Sequence, residues 1–486
     1  MPGSAAIRGL HFAVRVRVVA KYLGQALLIL AALTCVPAVV AAIGGNTGVA
    51  LRYAVIVLLF AIYGALTARL PAAGDMQRNE ALVIAALVFT VSGCALAFPI
   101  AGYDIPFVDA LFEAVSGVTT TGLSTLGSIQ NRPASFLFAR AWLQWIGGLG
   151  VLSLMLALLA EPGVAAKRLG FDERVDIAGG TRAHVRRVAQ VYLVLTGIGI
   201  AALLAVGERP LDAINYSLTS VSTGGFSNYD ASLAGIASWP ARGLVTLLSL
   251  AGAVSFSLYY LGTYRHLSQL LRDPQFGGLF VLCAVTLIIL FGLMTLAHPE
   301  RTSGNLANAV LTGISAQTTT GFSSLPPREL DAGSKLVLIV AMFVGGEVGS
   351  TAGGLKVLRL MMLLSLVRWR VQRAAIPARG RVSATLGGAP LQADEISASV
   401  ALLVIYLLVI LLSWTVFVVC GHAPLDALFE VVSALATAGL STGVASPALE
   451  PALKALLCLD MLMGRVEVLA FLVLLYPHSW FGRKRG

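Results

Sequence analysis

Apolar residues fill this chain in long runs, and polar residues collect in the gaps between them. Crossing a bilayer as a helix takes about 20 apolar residues. Runs of that kind cover 22–43, 53–70, 81–101, 136–160, 188–207, 241–262, 277–297, 335–365, 397–420 and 453–475. The gaps 101–136, 207–241, 297–335 and 420–453 each hold a further, shorter helical stretch, too short to span and too apolar for an ordinary loop. Such lengths predict re-entrant segments. The pattern therefore predicts an all-α polytopic membrane protein with ten transmembrane helices and four re-entrant half-helices.

Each short stretch ends in the same way. The four copies read Thr119-Thr120-Thr121-Gly122-Leu123, Ser222-Thr223-Gly224-Gly225-Phe226, Thr318-Thr319-Thr320-Gly321-Phe322 and Ala436-Thr437-Ala438-Gly439-Leu440, and Ser follows each at once. Asp109, Asp212, Asn308 and Asp426 each stand 13 residues before the last Gly of their copy. A repeat of this kind defines the architecture before any single residue does. It divides the chain into two leading helices (1–75) and four units of helix, half-helix with motif, and helix: 76–165, 166–272, 273–392 and 393–486.

Composition agrees. The chain is 57% hydrophobic and 12% charged, with mean hydropathy +0.85, whereas soluble domains carry about 25% charged residues. The net charge of +10 does not indicate nucleic-acid binding, because 22 of the 34 Lys and Arg lie in 1–21, 69–80, 161–187, 263–274, 366–396 and 476–486. Under the positive-inside rule these segments are cytoplasmic, so both termini are inside and all four motifs are outside. No cleavage site precedes the first apolar run, which predicts a retained first helix. The five Cys sit in apolar runs without CxxC spacing, and the six His lack metal-ligand spacing.

Backbone at membrane depth survives outside helices only where it is buried or lines a wet cavity. Four Thr/Gly stretches at one depth can aim their carbonyls at a common axis, and oxygen rings of that kind replace the hydration shell of an alkali cation. Gly permits unusual backbone angles and keeps the path clear. Thr and Ser hydroxyls can add ligands. The motif lacks a carboxylate, which argues against a tightly held divalent ion. The half-helices would point their partially negative C-terminal ends at the cation. Asp109, Asp212 and Asp426 have two readings: N-caps or, with Glu113 and Glu430, acids that concentrate cations at the outer mouth.

These motifs, together with Trp142-Leu143-Gln144-Trp145-Ile146-Gly147-Gly148-Leu149-Gly150, the run Gly349-Ser350-Thr351-Ala352-Gly353-Gly354-Leu355-Lys356 and Gly464-Arg465-Val466-Glu467, resemble the Trk/Ktr superfamily of potassium transporters. The two leading helices resemble the bacterial Trk membrane subunit in particular. The resemblance implies four pseudo-symmetric pore units in the bacterial cytoplasmic membrane, K⁺ permeation, a homodimer and a cytosolic nucleotide-binding regulatory ring, with no cofactor in this chain. It makes Gly122, Gly225, Gly321 and Gly439 the filter glycines, and Gly rather than Ser at 122 favours K⁺ over Na⁺. The fourth copy departs most, with Ala436 and Ala438 in place of Thr, and the third has Asn308 for Asp.

Five Gly stand within 345–354 (Gly345, Gly346, Gly349, Gly353, Gly354), with Glu347 among them. Gly costs a helix about 1 kcal/mol relative to Ala, so the helix is expected to unwind there. Close helix packing through small residues is one reading. An intramembrane gating loop below the filter, including Ser350, Thr351 and Lys356, is the reading the resemblance supports. Arg465, deep in the last apolar run, is a functional-site candidate by position, with Glu347 or loop carbonyls as its expected partner; an ion pair of purely structural role is the alternative.

Other readings are weaker. Gly439-Leu440-Ser441-Thr442-Gly443 matches the G-x-S-x-G of hydrolases but lacks the strand and partners that motif requires. Gly349–Lys356 misses the Ser/Thr of a phosphate loop. An enzyme is therefore not expected. A sodium or non-selective cation transporter, or a secondary transporter built from inverted halves, is the alternative function. The basic segments 161–187 and 366–396 suit docking of a cytosolic ring or contact with anionic lipid equally.

Overall fold

The computed structural model describes residues 13–71, 76–159, 180–259, 273–375, 377 and 383–480. Of the basic segments expected at 1–21, 69–80, 161–187, 263–274, 366–396 and 476–486, the parts 1–12, 72–75, 161–179, 263–272, 376, 378–382 and 481–486 lie outside these residues.

Helices α1 (Val16–Ile43) and α2 (Thr47–Thr67) form a leading hairpin. Gly64 lets them approach: a Cβ there would lie 2.8 Å from the Gly24 carbonyl, the close crossing that small residues permit. Asn46 Nδ2 donates to Ser135 Oγ (2.8 Å) and Trp142 Nε1 to the Leu33 carbonyl (2.9 Å), which ties the hairpin to the next unit.

After the hairpin one order recurs four times. A long helix comes first: α3 (Arg78–Ile100), α6 (Gly180–Ala205), α9 (Pro274–Ala297) and α13 (Ala393–Val419). A short helix follows: α4 (Phe107–Val118), α7 (Pro210–Val221), α10 (Thr302–Gln317) and α14 (Pro424–Leu435). The motif comes next, and then a second helix: α5 (Ala134–Leu159), α8 (Trp239–Ala253), α11 (Ala332–Val344) and α15 (Pro451–Arg465). Two further helices, α12 (Val357–Ala374) and α16 (Val468–Leu475), continue from α11 and α15 after a break. A two-stranded hairpin, Thr385–Leu386 with Ala389–Pro390, precedes α13.

Burial shows which faces meet protein. On α9 the buried positions are Gln275, Leu279, Cys283, Thr286, Leu290 and Met294, one stripe at helical spacing, while Val281, Val285, Ile288 and Ile289 are exposed. An apolar exposed face opposite a buried stripe suits lipid, where backbone polar groups are satisfied within the helix. Among the described residues six helices are long and apolar enough to cross a membrane: α1, α2, α3 with its following turn, α6 from Val185, α9 and α13. Two expected spans are not continuous. The run 241–262 breaks at Val254-Ser255, and 453–475 breaks at Val466-Glu467, as 335–365 breaks at 345–356. Mean hydropathy does not register a break when the interrupting residues are apolar, as Val254 and Val466 are.

Candidate functional site

Each short helix ends in an identical way. The first three motif residues turn their N–H groups back onto it: Thr119 N to Val115 O, Thr120 N to Gly117 O and Thr121 N to Ser116 O, all 2.9 Å. The same offsets hold for Ser222–Gly224, Thr318–Thr320 and Ala436–Ala438. The second residue is Thr in every copy and is left-handed in every copy: φ is 53° at Thr120, 50° at Thr223, 52° at Thr319 and 49° at Thr437. A β-branched residue in that region is strained by about 1–3 kcal/mol. The closing glycines are left-handed too, with φ between 78° at Gly225 and 92° at Gly122. With the N–H groups committed backwards, the carbonyls leave the other way. Among the described residues no donor reaches the carbonyl of any second-position Thr or any closing Gly.

The four stretches form a closed ring. A Cβ built on Gly122 would overlap the Gly224 carbonyl; on Gly225, that of Thr320; on Gly321, that of Ala438; and on Gly439, that of Thr121. Each copy thus abuts the next, and the fourth returns to the first. Both the left-handed φ and the neighbouring carbonyl require Gly here.

Hydroxyls behave differently from expectation. Thr119 Oγ1 donates to the Val115 carbonyl and pairs with Thr121 Oγ1 (2.8 Å); Thr318 and Thr320 repeat the arrangement at 2.8 Å. First- and third-position hydroxyls are therefore engaged with each other and with the helix. Ala436 and Ala438 delete both members of that pair together, which leaves no orphan. The second-position hydroxyls of Thr120 and Thr437 are buried without a partner among the described residues.

A latch secures the outer end of each copy. In copies one, two and four the residue nine before the closing Gly bonds the Ser that directly follows the motif: Ser124 Oγ to Glu113 (2.8 Å), Tyr216 with Ser227 (2.8 Å) and Ser441 Oγ to Glu430 (2.6 Å); in copy three Thr312 pairs with the next residue along, Ser324 (3.2 Å). Glu113 also pairs with Arg140, and both Glu113 and Glu430 are fully buried. They do not draw cations to the mouth. The Asp positions are corrected as well. Asp109, Asp212 and Asp426 are third in their helices, and their helices carry no N-cap side-chain bond. Asp109 pairs with Lys454 (2.6 Å) and Asp426 with Lys335 (2.8 Å), each from the second helix of another unit. Asp212 accepts from Asn228 and Tyr229. Asn308 lies mid-helix and lines a cavity together with His298 and Arg301.

The loop 345–356 packs against the ring at the first and second motif positions, Ala436 and Thr319. Gly345, Gly349 and Gly354 are left-handed, as is Lys356 at φ 80°. Gly353 N donates to Thr319 Oγ1 (2.6 Å), Gly354 N to the Ala436 carbonyl (3.1 Å), and Thr351 Oγ1 to the carbonyls of Val221 (3.0 Å) and Gly252 (2.9 Å). Arg465 reaches the loop from α15: Nη1 donates to the Thr351 carbonyl (2.7 Å) and Nη2 to that of Gly147 (3.3 Å). The loop thus touches units two, three and four, and Arg465 links it to the first. Glu347 is not the partner of Arg465. Its Oε2 accepts from Ser255 N (2.9 Å), which staples the break in α8 to the loop. Ser350 Oγ closes a turn onto the Glu347 carbonyl (2.6 Å), Lys356 Nζ bonds the Ala352 carbonyl, and Gly346 accepts from Val357 N. Two buried basic side chains, Lys356 and Arg465, therefore hold carbonyls of the loop that packs on the motif stretches.

Sequence reasoning missed the cross-unit ion pairs and the latches. A signal for the latches was present: Glu113–Ser124 and Glu430–Ser441 share a spacing of 11.

The chain is similar to known proteins in sequence and in overall fold. A family model described as TrkH, cation transport protein, matches residues 54–480. The Trk system potassium uptake protein TrkH of Escherichia coli strain K12 is 30% identical over 425 residues, covering 84% of this chain and 87% of that protein. The Trk system potassium uptake protein TrkI of Halomonas elongata is 32% identical over 389 residues, 78% of each chain. The crystal structure of the potassium transporter TrkH from Vibrio parahaemolyticus is similar with a TM-score of 0.85 and 26% identity, over 96% of this chain and 100% of that one.

Proposed function

The chain belongs to the TrkH family of cation transport proteins, and on that premise we propose that it takes up K⁺ through the ring of four Thr/Gly stretches. The closed ring of left-handed Thr and Gly, with carbonyls that no protein donor claims, carries this reading. A cation entering the ring exchanges water oxygens for carbonyl oxygens. The C-terminal ends of α4, α7, α10 and α14 terminate at the ring and add partial negative charge. The buried hydroxyls of Thr120 and Thr437 are further ligand candidates. No reaction is required of any residue, so the chain acts as a transporter and not as an enzyme.

In this reading the chain spans the cytoplasmic membrane ten times, with both termini inside. The two leading helices (1–75) stand beside four pore units (76–165, 166–272, 273–392, 393–486), each with a re-entrant half-helix. The loop 345–356 is the gate: it lies across the inner end of the ring, and Lys356 and Arg465 place positive charge in the path of the ion. Opening moves the loop aside. A homodimer and a cytosolic nucleotide-binding ring that acts on the loop complete the assembly. The mouth residues Asp109 and Asp426 brace neighbouring units through Lys454 and Lys335.

The test is flux of K⁺, Rb⁺ and Na⁺ into liposomes that hold the purified chain, beside Gly122→Ser. The wild type is expected to favour K⁺ and Rb⁺. The variant is expected to lose discrimination, because a side chain at 122 meets the Gly224 carbonyl and a left-handed backbone. Equal Na⁺ and K⁺ flux in the wild type refutes the reading.

A further inference from the structure

In copies one and three of the motif, the third position carries Thr121 and Thr320, whose hydroxyls brace the stretch from behind. In copy two that position is Gly224. Its backbone is not left-handed, so φ does not demand glycine there. Space does. A Cβ at 224 would overlap the side-chain amide of Gln144 and lie 2.9 Å from its Cβ. Gln144 comes from α5 of the preceding unit and is fully buried. Its Nε2 donates to the Gly224 carbonyl (2.5 Å) and its Oε1 accepts from Phe226 N (3.0 Å). The two partners fix the orientation of the amide, since the flipped form would set oxygen against oxygen and N–H against N–H. One side chain thus holds copy two on both sides of its closing glycine.

We infer that Gln144 is a positioning residue for ion discrimination, which stands in for the side chain that copy two lacks at its third position. The inference rests on the filter reading above. A carbonyl held from behind cannot tilt inward to follow an ion smaller than K⁺. Without the amide, the Gly224 carbonyl has no hydroxyl brace, like that of Ala438 in copy four, and unlike Ala438 it has no Cβ to limit its backbone.

The experiment is K⁺ and Na⁺ flux in liposomes for wild type, Gln144→Ala, Gln144→Glu, Gly224→Thr and the double variant Gln144→Ala/Gly224→Thr. Loss of one ordering hydrogen bond is worth about a fivefold fall in the K⁺/Na⁺ ratio, which we expect for Gln144→Ala. Gln144→Glu keeps the size of the side chain and the acceptor for Phe226 N but, when ionised, sets an oxygen against the Gly224 carbonyl in place of the donor, so its ratio falls in the same direction and its thermal midpoint falls as well. Gly224→Thr alone also loses discrimination, through overlap with Gln144. The double variant rebuilds a Thr hydroxyl beside Ser222, as in copies one and three, and recovers the ratio to within about twofold of wild type. A K⁺-selective wild type with an unchanged ratio in Gln144→Ala or Gln144→Glu overturns the inference alone. A double variant no better than Gln144→Ala overturns the stand-in role. A wild type that passes both ions equally overturns the filter reading and this inference with it.

Discussion

Arg465→Ala should make the pore leak. The guanidinium bonds the Thr351 carbonyl at 2.7 Å and the Gly147 carbonyl at 3.3 Å, so it ties the loop to the unit it does not otherwise touch. A hydrogen bond from a charged donor contributes about 1.5–3 kcal/mol. The first bond is short and the second long, so we take about 2–3 kcal/mol for the pair. At 1.4 kcal/mol per tenfold, the open population rises by about 30- to 150-fold. Removal of the positive charge acts in the same direction. The bonds of Thr351 Oγ1 to Val221 and Gly252 survive, so the loop is loosened rather than released. The assay is K⁺ flux into liposomes at matched protein amounts, without any cytosolic partner. Arg465→Lys separates the two causes: it keeps the charge and loses the two-carbonyl fork. We expect an intermediate leak. Flux in Arg465→Ala equal to wild type, with normal yield and thermal midpoint, would refute the tether.

Two further outcomes follow from the same geometry. The Asp109–Lys454 pair joins the first and fourth units; breaking a buried pair at one partner costs about 3–5 kcal/mol, so Asp109→Asn and Lys454→Met each lower the thermal midpoint in detergent, and the double variant loses less than the sum of the singles. Thr119→Ala orphans the buried Thr121 hydroxyl, at about 1–3 kcal/mol, whereas Thr121→Ala leaves Thr119 bonded to the Val115 carbonyl and costs less. The double variant Thr119→Ala/Thr121→Ala reproduces copy four and should be milder than Thr119→Ala, as read by the midpoint and by the K⁺/Na⁺ flux ratio.

The order of elements was legible because the motif is local: the left-handed closing positions demand Gly, and Gly appears four times at matching depth. The strain at Thr120, Thr223, Thr319 and Thr437 was not legible, because Thr does not announce a left-handed backbone. The partner of Arg465 was legible in part: of the two expected, Glu347 is engaged elsewhere, whereas a loop carbonyl, that of Thr351, does accept from Arg465; the second acceptor, the Gly147 carbonyl, has no letter in the sequence. Glu113 and Glu430 read as mouth acids from their side of the membrane, but burial and the Ser latches reassign them. The breaks in α8 and after α15 escaped detection because Val254 and Val466 are apolar and no glycine cluster marks them as it marks 345–354. The hydroxyl pairing that makes Ala436 and Ala438 a matched deletion depends on side-chain direction, which spacing alone does not give.

The most direct measurement is the anomalous scattering of Rb⁺ in crystals of the protein grown in a rubidium salt. The account places Rb⁺ on the axis of the ring, bounded by Thr120, Thr223, Thr319, Thr437 and the four closing glycines, and equal concentrations of K⁺ should displace it while Na⁺ should not. Rb⁺ density confined to sites away from the ring, or a ring peak that Na⁺ displaces as readily as K⁺, would contradict the account.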